Sequence, residues 1–398
     1  MERNSINPAV LVWARESAGL DLAEAARKIG LSASRNLSPA EKLAQIEQGA
    51  RAVTASLLEC MSKAYHRPLI AFYAATPPPT GERGADFRTL PPDRRREDAP
   101  TIDALIRDIK ARQALVRELV EDDEGVEPIR FVNSLTMDTP INIAAQAIAG
   151  ALGFTSREFR RGPVEAGFAY LRELVERTGV FVLLMGNLGS SHTNISAEVF
   201  RGFAVADRFA PFVVINDQDA KVSWSFTLLH ELVHIWLGES GISGGSADSR
   251  IERYCNDVAS ALLLDQAELE RFVWTGDDQA LEAINQIAHE ARVSRSLVAY
   301  RLFRSHVVTE IVWRTLTDRF RQEWLAERER LKAIERSARK EKPGGPSYYV
   351  VKRHKLGDAL VDLVRRSVTE GNLTPSRAGQ VLGVSAMNVQ PLISGKAA

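Results

Sequence analysis

The chain of 398 residues contains only two cysteines, Cys60 and Cys255. This number excludes a framework of several disulfides and a zinc finger built from several thiolates. Long hydrophobic runs are missing as well: the longest, residues 141–154, is interrupted by polar side chains and is shorter than the ~20 residues of a membrane span. The first residues contain no apolar segment, so we expect no signal peptide, no membrane association and a cytoplasmic location.

Net charge is also missing, because 51 lysines and arginines balance 51 aspartates and glutamates. A neutral protein is not a histone-like binder, so any contact with nucleic acid must come from a local patch. One such patch is the segment 314–355, in which 13 basic residues outnumber six acidic ones. This segment is either a solvated helix surface or a phosphate-binding surface.

The length predicts two to four structural units, at roughly 100–200 residues per domain. Six of the 17 prolines lie between Pro77 and Pro100, and proline at this density interrupts helices and strands. We therefore predict a linker at residues 76–100, after a first domain at residues 1–75. That domain contains several short helical patterns and a glycine-containing turn, which fit either a helix-turn-helix domain or a small helical bundle.

After the linker, helical patterns dominate, but three short apolar runs predict strands. The first run follows Gly179, and the other two, residues 200–206 and 212–215, are separated by residues that predict a hairpin turn. The expected fold class is α+β, mainly helical, with a small antiparallel sheet.

The strongest chemical signal is an H-E-x-x-H motif at residues 230–234. Apolar residues surround it, which predicts a buried helix. His230 and His234 lie one helical turn apart on one face, so both can bind one Zn²⁺ at about 2.0–2.1 Å. Burying two histidines and Glu231 is costly without a partner, and a metal ion supplies one. The alternative is a pair of hydrogen-bonded core histidines.

A catalytic zinc needs a third protein ligand and one open position. Helical spacing on the next predicted helix puts Glu252 on an inward face with the small residues Cys255 and Ala259, so Glu252 is the predicted third ligand. Asp248, one turn earlier on that face, is the other candidate. Asp257 lies off this face and is predicted to be solvated. Cys255 is predicted to be a small packing residue.

This set predicts peptide-bond hydrolysis. Zn²⁺ activates a water molecule, and Glu231 takes its proton and returns it to the leaving amine. The hairpin at residues 200–215 directly precedes the motif, so we expect its edge strand to hold an extended peptide by β-augmentation.

A resemblance to a known family is carried by four motifs: Arg201–Asp207, Ala210–Asn216, Thr227–His234 and Glu252–Ala259. Through them the chain resembles the ImmA/IrrE family of metallopeptidases. The resemblance implies His230, His234 and Glu252 as zinc ligands, Glu231 as the base and a zincin-like metallopeptidase domain, predicted at residues 101–310. The composition and helical pattern of residues 311–398 predict a basic helical region there.

The N-terminal segment resembles the phage-repressor-type helix-turn-helix domain of long family members, through Asn7–Arg15, Glu41–Leu43 and Tyr65–Leu69. An insert-like stretch, Ser32–Pro39, stands where a recognition helix would begin. The resemblance implies a specific protein substrate, a helix-turn-helix repressor, in a regulatory or stress response. Double-stranded DNA is a further expected partner. The alternative function is a DNA-binding transcription regulator or antitoxin-like protein, in which the metal site is structural or senses metal.

Overall fold

A computed structural model describes residues 6–34, 36–78, 98–123, 125–190, 193–243, 250–270, 272, 277–341 and 346–395. The chain forms two compact units, one of residues 1–109 with 187–195 and the other of residues 110–186 with 196–398. The predicted division into four segments stays a prediction, and residues 79–97 of its linker lie outside the described residues.

The first unit begins with short helices whose starts are fixed by side-chain caps. Asn7, Asp21, Ser38 and Thr54 each accept a hydrogen bond from a backbone N–H of the helix that follows, and Ser38 forms a reciprocal capping box with Glu41. The helices are α1 (Pro8–Ser17), α2 (Leu22–Lys28), α3 (Pro39–Glu47) and α4 (Ala55–Ala64), and a 3₁₀ helix covers Leu69–Tyr73.

The connection between α2 and α3 covers residues 29–38 and is longer than the three or four residues of a helix-turn-helix turn. The predicted insert, Ser32–Pro39, therefore supplies most of this connection. It ends by forming the cap and first residue of α3.

A long helix, α5 (Ala99–Glu121), contains the boundary between the two units. The second unit continues with helices and a small sheet. Its elements are α6 (Ile141–Leu152), α7 (Ser156–Phe159), α8 (Val164–Arg177), β1 (Phe181–Leu184), β2 (Gly202–Val205), β3 (Phe212–Ile215), α9 (Lys221–Leu237), β4 (Gly241–Ser243), α10 (Arg250–Leu263), α11 (Gln266–Leu269), α12 (Asp277–Ala291), α13 (Arg295–Arg304), α14 (Glu310–Glu341), α15 (Tyr348–Leu356), α16 (Asp358–Thr369), α17 (Pro375–Leu382) and α18 (Val389–Ile393).

The predicted class, α+β and mainly helical, is confirmed. The four strands lie in the order β1-β3-β2-β4. The predicted hairpin is present, with β2 antiparallel to β3, but the sheet is mixed because β1 runs parallel to β3. β2 therefore runs in the direction opposite to β1, and the hairpin brings β3 back into the direction of β1.

The sequence predicts that one strand of this hairpin lies at the edge of the sheet. In the structure both strands of the hairpin are interior, between β1 and β4. After α9 the chain turns back at Ser240, whose hydroxyl accepts a hydrogen bond from the N–H of Ala206 at 2.9 Å, and β4 then pairs with β2. β2 therefore lies between β3 and β4. All residues of β1, β2 and β3 are buried, and α9 packs against β2 and β3.

None of the described helices is both long and apolar enough to cross a membrane.

Candidate metal centre

Helix α9 holds the H-E-x-x-H motif in the centre of the second unit. Its residues from Thr227 to Leu237 are all buried, so the helix has no solvated face along this stretch. Gly238 ends it in the left-handed conformation. The carbonyls of Ile235 and Trp236 accept hydrogen bonds from the backbone N–H groups of residues 133–135 at 2.9–3.2 Å. These bonds fix the end of α9 nearest to His234.

Helix α10 packs against α9 and brings Glu252 to the two histidines. The two carboxylate oxygens of Glu252 lie 3.2 Å from Nε2 of His230 and 3.3 Å from Nε2 of His234. The two Nε2 atoms are 3.2 Å apart. Each carboxylate oxygen of Glu252 therefore lies beside a different histidine nitrogen, and three donor side chains from two helices meet at one place.

These separations fit a tetrahedral metal site. Two ligand atoms bound to one zinc at 2.0–2.1 Å and at tetrahedral angles are about 3.3 Å apart. The observed separations of 3.2–3.3 Å match that value. Two imidazoles and one carboxylate are also the donor set of known catalytic zinc sites.

The carboxyl group of Glu252 is held in its charged form. Burial by itself would raise its pKa, but hydrogen bonds and charge from His230 and His234 outweigh burial and lower the pKa to about 2. An ionised carboxylate is the form that binds a cation. Glu252 thus offers its carboxylate in the form that binds a metal ion.

Glu231, the predicted base, is fully buried. Its carboxylate lies against the start of β2, where a Cβ placed on Gly202 would be only 2.8 Å from Oε1. Sequence reasoning missed Gly202, because its importance depends on the contact between β2 and α9, which no local pattern reveals.

Cys255, predicted to be a packing residue, also belongs to this centre. It is fully buried one turn after Glu252, and its sulfur and one ring nitrogen of each histidine all lie within 4.8 Å of one another. Burial is the largest influence on the thiol and, with the nearby carboxylates, raises its pKa well above the ordinary value. Packing and metal contact are both compatible with this position.

Two other predictions have different outcomes. Asp248, the alternative third ligand, lies outside the described residues. Asp257, predicted to be solvated, is buried, so that prediction is wrong. Its carboxylate accepts hydrogen bonds from Tyr300 at 2.7 Å and from Arg304 at 2.6 and 2.7 Å, which join α10 to α13. The sequence does contain the two donors, Tyr300 and Arg304, one helical turn apart on α13. Their contact with Asp257 depends on the tertiary fold, so the sequence alone does not reveal it.

The segment that surrounds this centre matches a known family. Residues 189–303 fit the family model described as the IrrE N-terminal-like domain, Peptidase_M78. This part of the chain is similar to an IrrE N-terminal-like domain. The resemblance to the ImmA/IrrE family is confirmed for this segment. No curated protein and no solved structure matches the chain.

The matched segment includes all four predicted site residues, namely His230, Glu231, His234 and Glu252. The family is one of metal-dependent peptidases. The separate roles of these residues, as ligands and base, stay predictions.

Proposed function

We propose that this protein is a zinc-dependent endopeptidase. The observation that carries the proposal is the group of donor side chains His230, His234 and Glu252, whose neighbouring nitrogen and oxygen atoms are 3.2–3.3 Å apart. The adjacent, fully buried Glu231 supports it further, because a purely structural metal site has no need for a second carboxylate. The match of residues 189–303 to the IrrE N-terminal-like model, Peptidase_M78, also supports it.

The four site residues have two different roles in the proposed reaction, metal binding and proton transfer. His230, His234 and Glu252 would hold the metal through their Nε2 and carboxylate oxygen atoms. A bound zinc ion would supply Lewis acidity, which makes water a better nucleophile and polarises the scissile carbonyl. Glu231 accepts the proton of the attacking water on a carboxylate oxygen and passes it to the leaving amine. The dry surroundings of α9 strengthen these charge interactions.

We further propose a single protein substrate, a helix-turn-helix repressor, in a cytoplasmic regulatory or stress response. The support is the likeness of the N-terminal segment to phage-repressor domains, since related domains can dock on one another. The short helices α1 to α4 agree with such a domain, whereas the connection between α2 and α3 is longer than a helix-turn-helix turn. Double-stranded DNA remains a proposed further partner.

The alternative, a DNA-binding regulator or antitoxin-like protein, gains less support. The DNA-binding alternative depends partly on the basic segment 314–355. Several of its cations are paired with carboxylates: Arg314 with Glu310, Arg319 with Glu323, Arg330 with Glu327, Arg353 with Asp358 and Lys355 with Asp217. Paired cations attract phosphate less strongly than free ones, so this surface is a weaker candidate for DNA than its charge count indicates.

Metal content and cleavage test the peptidase proposal together. Mass spectrometry should find about one zinc per chain in the wild type and in Glu231→Gln, and much less in His230→Ala and Glu252→Ala. His289→Ala, which changes an exposed histidine on α12, is the matched control and should keep its zinc. Cleavage of candidate repressors should disappear in Glu231→Gln.

Two results would contradict the proposal. The first is a wild-type protein that binds no divalent metal after zinc is supplied. The second is a Glu231→Gln protein that cleaves as fast as the wild type, since its amide cannot act as the base.

A further inference from the structure

The start of β2 packs directly on the face of α9 that carries Glu231. Gly202 is the first residue of β2, and it is buried against Thr227 and Glu231, which lie one helical turn apart. We propose that Gly202 is a positioning residue, whose missing side chain keeps the Glu231 carboxylate aimed at the metal centre. This inference rests on the proposed function and names a residue that the ligand and base assignments do not include.

The backbone does not require glycine at this position. Gly202 lies in an extended strand and does not have a positive φ, so any residue could adopt its conformation. Glycine inside a strand weakens the strand and often marks the close approach of another group. Something other than backbone conformation therefore explains glycine here.

The explanation is the space that a side chain would occupy. A Cβ on residue 202 would lie 2.8 Å from Oε1 of Glu231, 3.1 Å from its Cγ and 2.6 Å from Cγ2 of Thr227. A Cβ atom does not lie 2.6 or 2.8 Å from a carbon or oxygen atom to which it is not bonded unless one of the two shifts. Even the smallest side chain must therefore displace one of these neighbours.

The strand itself is poorly placed to move. Gly202 is paired with Ile215 of β3 on one side and with Ser243 of β4 on the other. Helix α9 is equally constrained, because it is buried and its last carbonyls are hydrogen-bonded to residues 133–135. The freest atoms in the contact are those at the end of the Glu231 side chain, since a long side chain can change rotamer.

Alanine at position 202 should therefore turn the Glu231 carboxylate away while leaving the metal ligands in place. His230, His234 and Glu252 are not among the atoms nearest to the added methyl group. The variant should bind metal normally but position a water molecule or a hydroxamate poorly.

The test uses full-length protein loaded with Co²⁺ and titrated with acetohydroxamic acid, read by the visible spectrum of the cobalt. A hydroxamic acid binds the metal through its oxygens and gives its proton to a nearby base, so its affinity reports the position of Glu231. Gly202→Ala should bind Co²⁺ as the wild type does but bind the hydroxamate about tenfold or more weakly, as expected for one lost charge-assisted hydrogen bond.

Three further variants separate positioning from general damage. Gly150→Ala, where the added methyl meets no atom within 4 Å, should match the wild type. In a Glu231→Gln background, Gly202→Ala should cause no additional loss of hydroxamate affinity. Thr227→Ser removes the Cγ2 atom that the new methyl meets, so Gly202→Ala/Thr227→Ser should fold well even if Gly202→Ala does not, and should still bind the hydroxamate weakly.

Wild-type affinity in Gly202→Ala, or in the double variant with Thr227→Ser, would overturn the inference. The inference would also be overturned if Gly202→Ala lowered hydroxamate affinity as much in the Glu231→Gln background as in the wild type. The effect would then not depend on Glu231. A wild-type protein that binds neither Co²⁺ nor the hydroxamate would instead overturn the peptidase proposal, and this inference with it.

Discussion

At the scale of single residues, the metal centre contains more donor atoms than a three-ligand site needs, since both Glu252 and Cys255 lie beside the two histidines. We expect Glu252 to bind the metal and Cys255 not to bind it, because the carboxylate oxygens already stand at the separation of tetrahedral ligands. Glu252→Ala should lower zinc affinity by about 100-fold or more, whereas Cys255→Ala should lower it less than about 10-fold.

The spectrum of the Co²⁺-loaded wild type gives a second measure of this choice. A bound thiolate produces an intense near-ultraviolet charge-transfer band, and the expected spectrum lacks it. A strong band that disappears in Cys255→Ala would contradict the assignment and make Cys255 a ligand.

Sequence reasoning could predict His230 and His234, with Glu231 in the same motif, because their relation is a helical spacing. The same spacing puts Glu252 on an inward face of α10, although its contact with the histidines depends on the packing of α10 against α9. A helix has a fixed period, so residues four apart share a face whatever the rest of the fold does. Gly202 and Asp257 could not be predicted in the same way. Their importance comes from contacts between β2 and α9 and between α10 and α13, which are set only when the elements pack.

At the scale of elements, α10 is held between α9, which carries the other ligands, and α13. The buried carboxylate of Asp257 on α10 binds Tyr300 and Arg304 of α13. Asp257→Asn should lower the free energy of unfolding by about 2 kcal/mol, the size expected for losing hydrogen bonds to a charged group. Urea denaturation measures it.

Asp138→Asn is the matched control. Asp138 pairs with Arg250, also on α10, but both side chains are mostly exposed, with 87% and 70% of their surface accessible. Such a pair contributes about 0–1 kcal/mol, so the control should change stability little. Equal losses in the two variants would show that burial of Asp257 has no special effect.

The strands themselves were predictable because short apolar runs between turn residues are a local signal. The order of the strands was not. The parallel pairing of β1 with β3, and the position of β4 beside β2, depend on how the chain returns to the sheet after residue 185 and after α9. These are relations between distant segments, and periodicity contains no information about them.

At the scale of the second unit as a whole, the C-terminal helices α15 and α16 contact the sheet, and a buried ion pair on α8 takes part in this contact. Arg172 on α8 binds Glu176 at 3.0 Å, donates to the carbonyl of His354 in α15 at 2.6 Å and also donates to the carbonyl of Val182 in β1. Glu176 accepts a hydrogen bond from the N–H of Ala359 in α16 at 3.2 Å. Two side chains thus connect α8, β1, α15 and α16.

Burial is the largest influence on both charges: it lowers the pKa of Arg172 and raises the pKa of Glu176. Removing one member leaves the other buried without its partner, which costs about 3–5 kcal/mol. Arg172→Met should therefore destabilise the protein by about that amount and increase hydrogen exchange in α15 and α16, which lose an anchor on the sheet. Urea denaturation and mass-spectrometric hydrogen exchange measure the two effects.

Two further variants test this prediction by their stability relative to Arg172→Met. They are the double variant Arg172→Met/Glu176→Leu and the control Arg177→Met. Replacing both charges by apolar groups removes the buried charge, so the double variant should be more stable than Arg172→Met alone. Arg177 pairs with Glu173 on the exposed side of α8, and its loss should change stability by less than about 1 kcal/mol. If Arg172→Met behaved like Arg177→Met, the buried pair would not contribute to holding the C-terminal helices against the sheet.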